Sequence, residues 1–156
     1  MKTCIVQPAA VKDVPAIYNL IQKLAEYERA PDAVTLSLEQ FAEDGFGPSP
    51  VWQALVARAG EEVVGFALWY MRYSTWKGRR LYLEDLYVEE AWRRAGVATA
   101  LMDGLVAAAQ QNGCTGMVWQ VLEWNEPAKA FYRRYSPEVI FDAGWDNVSL
   151  AVAPIG

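Results

Sequence analysis

Residues 88–99, VEEAWRRAGVAT, constrain the fold of this chain more than any other segment. An apolar run of strand-forming residues stops there, Arg93, Arg94 and Gly96 follow, and an amphipathic helical pattern begins. The first turn of a helix has backbone N–H groups without intrahelical partners, at the positive end of the helix dipole, and it binds anions well. The segment indicates either a strand that leads into a phosphate-binding helix or an ordinary turn with two solvated arginines, because one glycine alone does not decide between them.

The hydrophobic periodicity of the remaining chain predicts a single α/β domain over residues 1–156. A strand, a helix and a further strand around the segment above form a βαβ crossover, so those two strands should be parallel. We expect a mixed, mostly antiparallel sheet of about seven strands with flanking helices. The predicted strands cover residues 3–8, 52–59, 63–73, 81–88 and 115–122, with closing strands at 139–141 and 145–152, and the predicted helices cover 13–28, 38–43, 96–111 and 125–135.

Composition excludes several classes of function. The chain has no histidine, which removes serine or cysteine triads and histidine-ligated metals, and we expect no metal site. A net charge of −5 argues against nucleic-acid binding and suits a cationic partner better. No apolar run reaches the roughly 18 residues of a membrane span, and residues 1–6 are too short for a signal-peptide core, so we expect a cytoplasmic enzyme without a membrane partner. Cys4 and Cys114 are isolated and are expected to be small buried apolar residues.

Five motifs in order resemble the GNAT-type N-acetyltransferases, and specifically their diamine (spermidine/spermine) acetyltransferase branch. They are EDGFG at residues 43–47, LYLEDLYV at 81–88, RRAGVA at 93–98, EWNEP at 123–127 and AFY at 130–132. The resemblance implies acetyl-CoA as cosubstrate, bound where the first segment predicts a phosphate site. Its implied cofactor-binding residues are Leu86, Tyr87, Val88, Arg93, Arg94, Ala95, Gly96, Val97, Ala98, Thr99, Asn125, Glu126, Pro127 and Ala128. Within this set, the backbone edge of residues 86–88 would pair with the pantetheine arm.

Acetyl transfer to an amine needs a base, because an alkylamine with a pKa of about 10.4 is almost wholly protonated at neutral pH. Glu84 is the candidate, since an isolated carboxylate in an apolar strand is costly unless it is paired or functional. In a regular strand Asp85 would point to the opposite face, whereas a bulge would bring both carboxylates to one site. The alternative is that Arg79 or Arg80 neutralises both.

Tyr132 is the candidate acid that protonates the departing thiolate. It lies seven residues after Asn125, two helical turns, so the two share a helix face. A phenol with a pKa of about 10 is protonated at neutral pH and can give its proton to a thiolate. The resemblance assigns the same role to this tyrosine.

The resemblance also implies an acceptor site for a small cationic amine. Its residues would be Tyr27, Glu28, Glu84, Asp85, Val118, Trp119 and Gln120, in which carboxylates and aromatic rings suit an extended cation. The expected activity is acetyl-CoA-dependent N-acetylation of a polyamine, diamine or lysine-like amino acid. The alternatives are another acceptor, such as an antibiotic amine or a protein N-terminus, and a coenzyme A-binding sensor module without turnover.

Two features depart from the family pattern, namely Ser136-Pro137-Glu138 after the last helix and a short loop between the second and third strands. Both departures are expected to change the shape of the acceptor pocket.

Seven tryptophans and the apolar residues 148–155 exceed what a small monomer needs to bury, which predicts a homodimer.

Overall fold

Within residues 2–155, which the computed structural model describes, the chain forms five strands and four α-helices. The strands are β1 (Ile5–Pro8), β2 (Gln53–Ala59), β3 (Glu62–Ser74), β4 (Gly78–Val88) and β5 (Gly116–Trp119). The helices are α1 (Val14–Tyr27), α2 (Leu38–Phe46), α3 (Val97–Gln111) and α4 (Glu126–Tyr135). The α/β class and every helix predicted from the periodicity are confirmed, with ends that differ by a few residues.

The contacts divide the chain into two compact units, one up to Leu122 and one from Glu123. The first unit holds one sheet in the order β1-β2-β3-β4-β5. Neighbouring strands are antiparallel except β4 and β5, which are parallel. The predicted βαβ crossover is therefore confirmed, because α3 connects the two parallel strands.

Helices cover both faces of this sheet. Apolar residues of α1 and α2, such as Ile17 and Phe41, pack with Val56 and Leu68 in one buried cluster. Leu55 precedes Val56 and therefore points to the other face, where it lies against α3 at Gly104. Both faces of the central strands are buried, which explains their nearly continuous apolar sequence.

Asp13 is the residue before α1, but its side chain does not cap the helix. One carboxylate oxygen accepts a hydrogen bond from the Ala10 N–H at 2.8 Å, and the other pairs with the Arg58 guanidinium at 2.6 Å. Burial raises the pKa of Asp13, but those two partners outweigh it and lower the pKa below its usual value. The sequence pattern predicted that the helix begins near Asp13, but it did not predict the buried ion pair between Asp13 and Arg58.

The second unit contains α4 followed by irregular chain. The closing strands predicted at residues 139–141 and 145–152 are absent from the described part of this unit, and the sheet has five strands, not about seven. A strand needs a neighbour for its backbone N–H and C=O groups, and no ladder includes these residues. Their apolar side chains are exposed, and Val148, Leu150 and Val152 are each more than 80% accessible.

Candidate active site

A bulge in β4 brings two carboxylates to one face of the sheet. Leu83 lies opposite Trp69 and Asp85 lies opposite Leu68, so Glu84 is the extra residue between two consecutive pairs. Asp85 therefore shares the face of Leu68, which packs towards α1. Glu84 follows Tyr82 by two residues, and Tyr82 lies opposite Tyr70 on that same face. Of the two arrangements considered from sequence, the structure shows the bulged one.

Asp85 is the most perturbed carboxyl group of the pair. Burial and, after it, the negative charges of Glu84 and Glu28 together raise its pKa to about 7. Burial also raises the pKa of Glu28, which follows the last residue of α1. The end of α1 and the bulge of β4 thus bring Glu28 and Glu84 within electrostatic range of Asp85. We call Glu28, Glu84 and Asp85 the acidic cluster.

No arginine neutralises the two bulge carboxylates within residues 2–155. The acids of the ion pairs seen there include Glu89, Asp13 and Glu126, and neither Glu84 nor Asp85 is among them. Arg80 instead reaches Thr115 at 3.4 Å. The arginine-paired alternative for Glu84 and Asp85 is therefore not what the structure shows.

Strands β4 and β5 part just before the bulge. Their parallel pairing runs from Arg80 and Gly116 to Leu83 and Trp119 and then stops. In the described part of the first unit, β4 continues to Val88 without β5 beside it. The backbone edge of residues 86–88 is therefore open on the β5 side, as a strand that receives an extended ligand requires. Val118 and Trp119 end the paired section, and Gln120 follows it exposed.

The N-terminus of α3 has the features of an anion site. Gly96 is its N-cap, with φ of 79°, and provides no capping side chain for the first N–H groups of the helix. Arg94 also has a left-handed φ, of 60°. A Cβ added to Gly96 would meet nothing within 4 Å, so the space in front of the helix is open. Residues 93–96 are all exposed. A phosphate can therefore reach the backbone at this end of α3.

Arg93 is held against aromatic rings. Its Nε donates to the Val88 carbonyl at 3.0 Å, and its guanidinium lies 5.5 Å from the Tyr27 ring centre and 5.4 Å from that of Tyr87. These contacts connect the end of α1 to the turn before α3. Arg93 is therefore engaged within the protein and holds the turn in place.

In the second unit, Asn125 caps α4. Its side-chain oxygen accepts a hydrogen bond from the Ala128 N–H at 3.3 Å, and Pro127 lies in the first turn, where its missing N–H costs nothing. Tyr132 lies two turns later and is buried, with its ring centre 5.4 Å from that of Phe131. The spacing of Asn125 and Tyr132, two turns apart at the start and middle of α4, agrees with the sequence prediction.

Comparison with known proteins decides the family. Residues 14–136 match the Acetyltransferase (GNAT) family. This chain belongs to the GNAT acetyltransferase family.

The relatives of this GNAT chain agree with the branch that its motifs resemble. It is 36% identical to the thialysine N-epsilon-acetyltransferase of Bos taurus, over 93% of this chain and 91% of that protein. It is 32% identical to the human spermidine/spermine N(1)-acetyltransferase-like protein 1, over 90% of this chain and 21% of that protein. The crystal structure of an aminoglycoside N-acetyltransferase in complex with CoA superposes with a TM-score of 0.75 at 15% identity, over 95% of this chain and 96% of that one, and supports the fold alone. The chain is an acetyltransferase, and the resemblance found in its sequence is confirmed.

Sequence reasoning missed one feature of this GNAT site, an aromatic pair beside Glu84. The rings of Tyr70 and Tyr82 lie 5.1 Å apart, and the Arg72 guanidinium lies 5.5 Å from the Tyr82 ring. Burial, followed by the charge of Glu84, raises the pKa of both phenols. The register of the β3–β4 hairpin creates the pair, because Tyr70 and Tyr82 are direct cross-strand neighbours.

None of the helices in residues 2–155 is long and apolar enough to cross a membrane. In that same range, no three histidine, cysteine, aspartate or glutamate side chains are arranged to hold a metal ion.

Proposed function

We propose that this GNAT enzyme transfers the acetyl group of acetyl-CoA directly to a primary amine of a small cation, a polyamine, a diamine or a lysine-like amino acid. The observation that carries the proposal is the bulge at Glu84, which gathers the acidic cluster where β4 and β5 part. The named activities of the thialysine and spermidine/spermine relatives support the same acceptor class.

The cofactor is assigned to the turn before α3 and to the open edge of β4. The phosphates would accept hydrogen bonds from the first N–H groups of α3 and face the Arg94 guanidinium. The amide groups of residues 86–88 would pair with the pantetheine arm, which would direct the thioester towards the bulge. Asn125, Glu126, Pro127 and Ala128 at the start of α4 remain predicted cofactor contacts.

The acidic cluster has two tasks in this proposal. Its negative charges attract a cationic amine, and Glu84, which is exposed, takes the amine proton directly or through water. Asp85, with a pKa of about 7, is partly protonated at neutral pH and increases the negative charge of the site as the pH rises. The amine nitrogen then attacks the thioester carbonyl, the carbon–sulfur bond breaks, and Tyr132 gives its proton to the departing thiolate.

An acceptor panel tests the proposal. Free thiol released from acetyl-CoA is measured with thialysine, lysine, spermidine, putrescine, butylamine, an aminoglycoside and a peptide with a free N-terminus. We expect thialysine, lysine or the polyamines to react with the highest kcat/KM. Highest activity with the aminoglycoside or the peptide would replace the proposed acceptor class, and acetyl-CoA binding without turnover on any amine would support a sensor module.

We also propose that the enzyme is a homodimer. Its apolar C-terminal segment is exposed in the second unit, where Val148 and Leu150 are 92% and 88% accessible. Burial of such surface is worth roughly 25 cal/mol per Å², so a second copy is a favourable cover. Sedimentation at micromolar concentration should show twice the 17.5 kDa chain mass, and a species of the chain mass alone would contradict the dimer.

A further inference from the structure

Two arginines lie directly opposite each other in the β3–β4 hairpin. Arg72 pairs with Arg80, two positions from the pair formed by Tyr70 and Tyr82. Because side chains alternate along a strand, both arginines share the face of these tyrosines, which is also the face of Glu84. Like charges directly opposite each other destabilise a sheet. A bound anion beside the two arginines would offset this repulsion.

Neither arginine has a carboxylate partner in the ion pairs seen in the described part of the chain. Arg72 is exposed, and its guanidinium lies over the Tyr82 ring, 5.5 Å from the ring centre. The Arg80 guanidinium lies over Gly116, where an added Cβ would come within 2.8 Å of it, and donates to the Thr115 hydroxyl at 3.4 Å. A guanidinium that lies over a ring keeps its N–H edge for a carboxylate, which it can bind with two hydrogen bonds.

The tyrosine pair lies between a negative and a positive group. Burial, and after it the charge of Glu84, raise the pKa of both Tyr70 and Tyr82, and the charge of Arg72 opposes this rise. Arg80 and Glu84 are four residues apart on β4, about 13 Å along the strand. A ligand that crosses the two rings therefore meets a carboxylate at one end and guanidinium groups at the other. Its matching groups are an ammonium and a carboxylate.

We propose that Arg72 and Arg80 bind a carboxylate of the acceptor, so that the enzyme prefers a diamino acid to a polyamine. This carboxylate site rests on the proposed function and favours one of the acceptor classes named there. A polyamine would place an ammonium group beside the two guanidinium groups, where it is repelled. The amine far from the carboxylate reaches Glu84: its nitrogen gains the acetyl group and loses a proton, and coenzyme A leaves as the thiol.

Lysine and cadaverine are a matched pair of acceptors, because cadaverine is lysine without its carboxylate. Free thiol released from acetyl-CoA gives kcat/KM for each. We expect the enzyme to prefer lysine roughly fivefold or more, the effect of one carboxylate–guanidinium pair near the surface. NMR of the lysine product should show the acetyl group on the side-chain nitrogen.

Arginine variants locate the preference. Arg72→Gln and Arg80→Gln should each raise the KM for lysine roughly fivefold with little change in kcat, because the contact is remote from the reacting atoms. Neither variant should lose activity with cadaverine, which also shows that both are folded. Arg79→Gln is the control, since Arg79 is exposed in the same hairpin and pairs with Tyr73 on the opposite face. It should leave both acceptors unaffected.

Failure of the carboxylate site differs from failure of the proposed function. Equal kcat/KM for cadaverine and lysine, equal losses with both acceptors in Arg72→Gln, or the same loss with lysine in Arg79→Gln would each overturn the site and leave acetyl transfer to amines in place. Acetylation of lysine on its α-nitrogen would also overturn it, because that amine lies beside the carboxylate. No thiol release with either acceptor would contradict the proposed function and the carboxylate site together.

Discussion

Arg93 stacks on Tyr27, with its guanidinium 5.5 Å from the ring centre, and so connects the end of α1 to the turn before α3. Tyr27 and Glu28 are predicted acceptor residues, and the turn is the predicted phosphate site. The contact therefore places the two predicted substrate regions of the first unit side by side. The Nε of Arg93 also donates to the Val88 carbonyl, so we expect Arg94, and not Arg93, to bind the phosphates.

Breaking this contact should lower stability without removing a phosphate ligand. We expect Arg93→Leu and Tyr27→Leu each to reduce the free energy of unfolding by about 1 kcal/mol, with a coupling of about 0.5 kcal/mol in the double mutant. Urea denaturation measures both. Arg94→Leu is the comparison, with a small effect on stability and a higher KM for acetyl-CoA. A raised KM in Arg93→Leu but not in Arg94→Leu would reverse the assignment.

Gly96 offers a matched test of the phosphate site. Gly96 and Gly113 lie at opposite ends of α3, both have positive φ (79° and 68°), and an added Cβ meets nothing within 4 Å at either. Alanine should therefore cost a similar strain at both positions, about 1–2 kcal/mol. We expect only Gly96→Ala to raise the KM for acetyl-CoA as well, because its methyl group stands between the ligand and the backbone. Equal KM values for the two variants would contradict the placement.

The raised pKa of Asp85 predicts how the stability of the protein depends on pH. Its folded pKa of about 7 lies above the unfolded value of about 3.9, so the folded state holds its proton more tightly. The carboxyl group therefore loses favourable free energy as the pH rises from about 4 to about 7, by up to about 4 kcal/mol. Asp85→Asn should be more stable than the parent at pH about 8, with a difference that shrinks towards pH about 5. Thermal unfolding at both pH values measures it, and a constant difference would show that Asp85 titrates normally.

Loss of the Tyr132 hydroxyl should slow the chemical step without weakening the binding of acetyl-CoA. We expect Tyr132→Phe to lower kcat by roughly 10²–10⁴-fold with little change in the KM for acetyl-CoA, because it removes only a hydroxyl group. Tyr135→Phe, on the same helix and half-buried, is the control and should keep its kcat. If Tyr132→Phe retains most of its turnover, water or another group protonates the thiolate.

Glu28 should favour acceptor amines that carry a second positive charge. Removal of one carboxylate–ammonium pair in a partly screened site costs on the order of 1 kcal/mol, which is about fivefold in kcat/KM. Glu28→Gln should show this loss with spermidine or putrescine and almost none with butylamine. Glu26→Gln, an exposed neighbour on α1, should behave as the parent. An equal loss for diamine and monoamine would mean that Glu28 acts on the reacting amine or on the fold.

The sequence by itself determined the four helices, the five strands of the sheet and the family. These elements depend on interactions between residues close in the chain. Examples are the apolar spacing in α1 and α3 and the strand-turn-helix pattern around Gly96, which the sequence shows directly. The parallel β4–β5 pair also followed, because a helix between two neighbouring strands returns the chain to the end of the sheet where the first strand began.

The tertiary structure alone decided how the site is arranged. Whether Glu84 and Asp85 share a face depended on a bulge against β3, and the Tyr70–Tyr82 pair depended on the register of the same hairpin. Asp13 lies directly before α1, but Arg58, 45 residues later, makes it half of a buried ion pair and not a helix cap. The predicted closing strands failed for the same reason, because a strand forms only where a neighbour supplies the other half of each hydrogen bond. Interactions between residues distant in the chain set these outcomes, and local pattern carries no information about them.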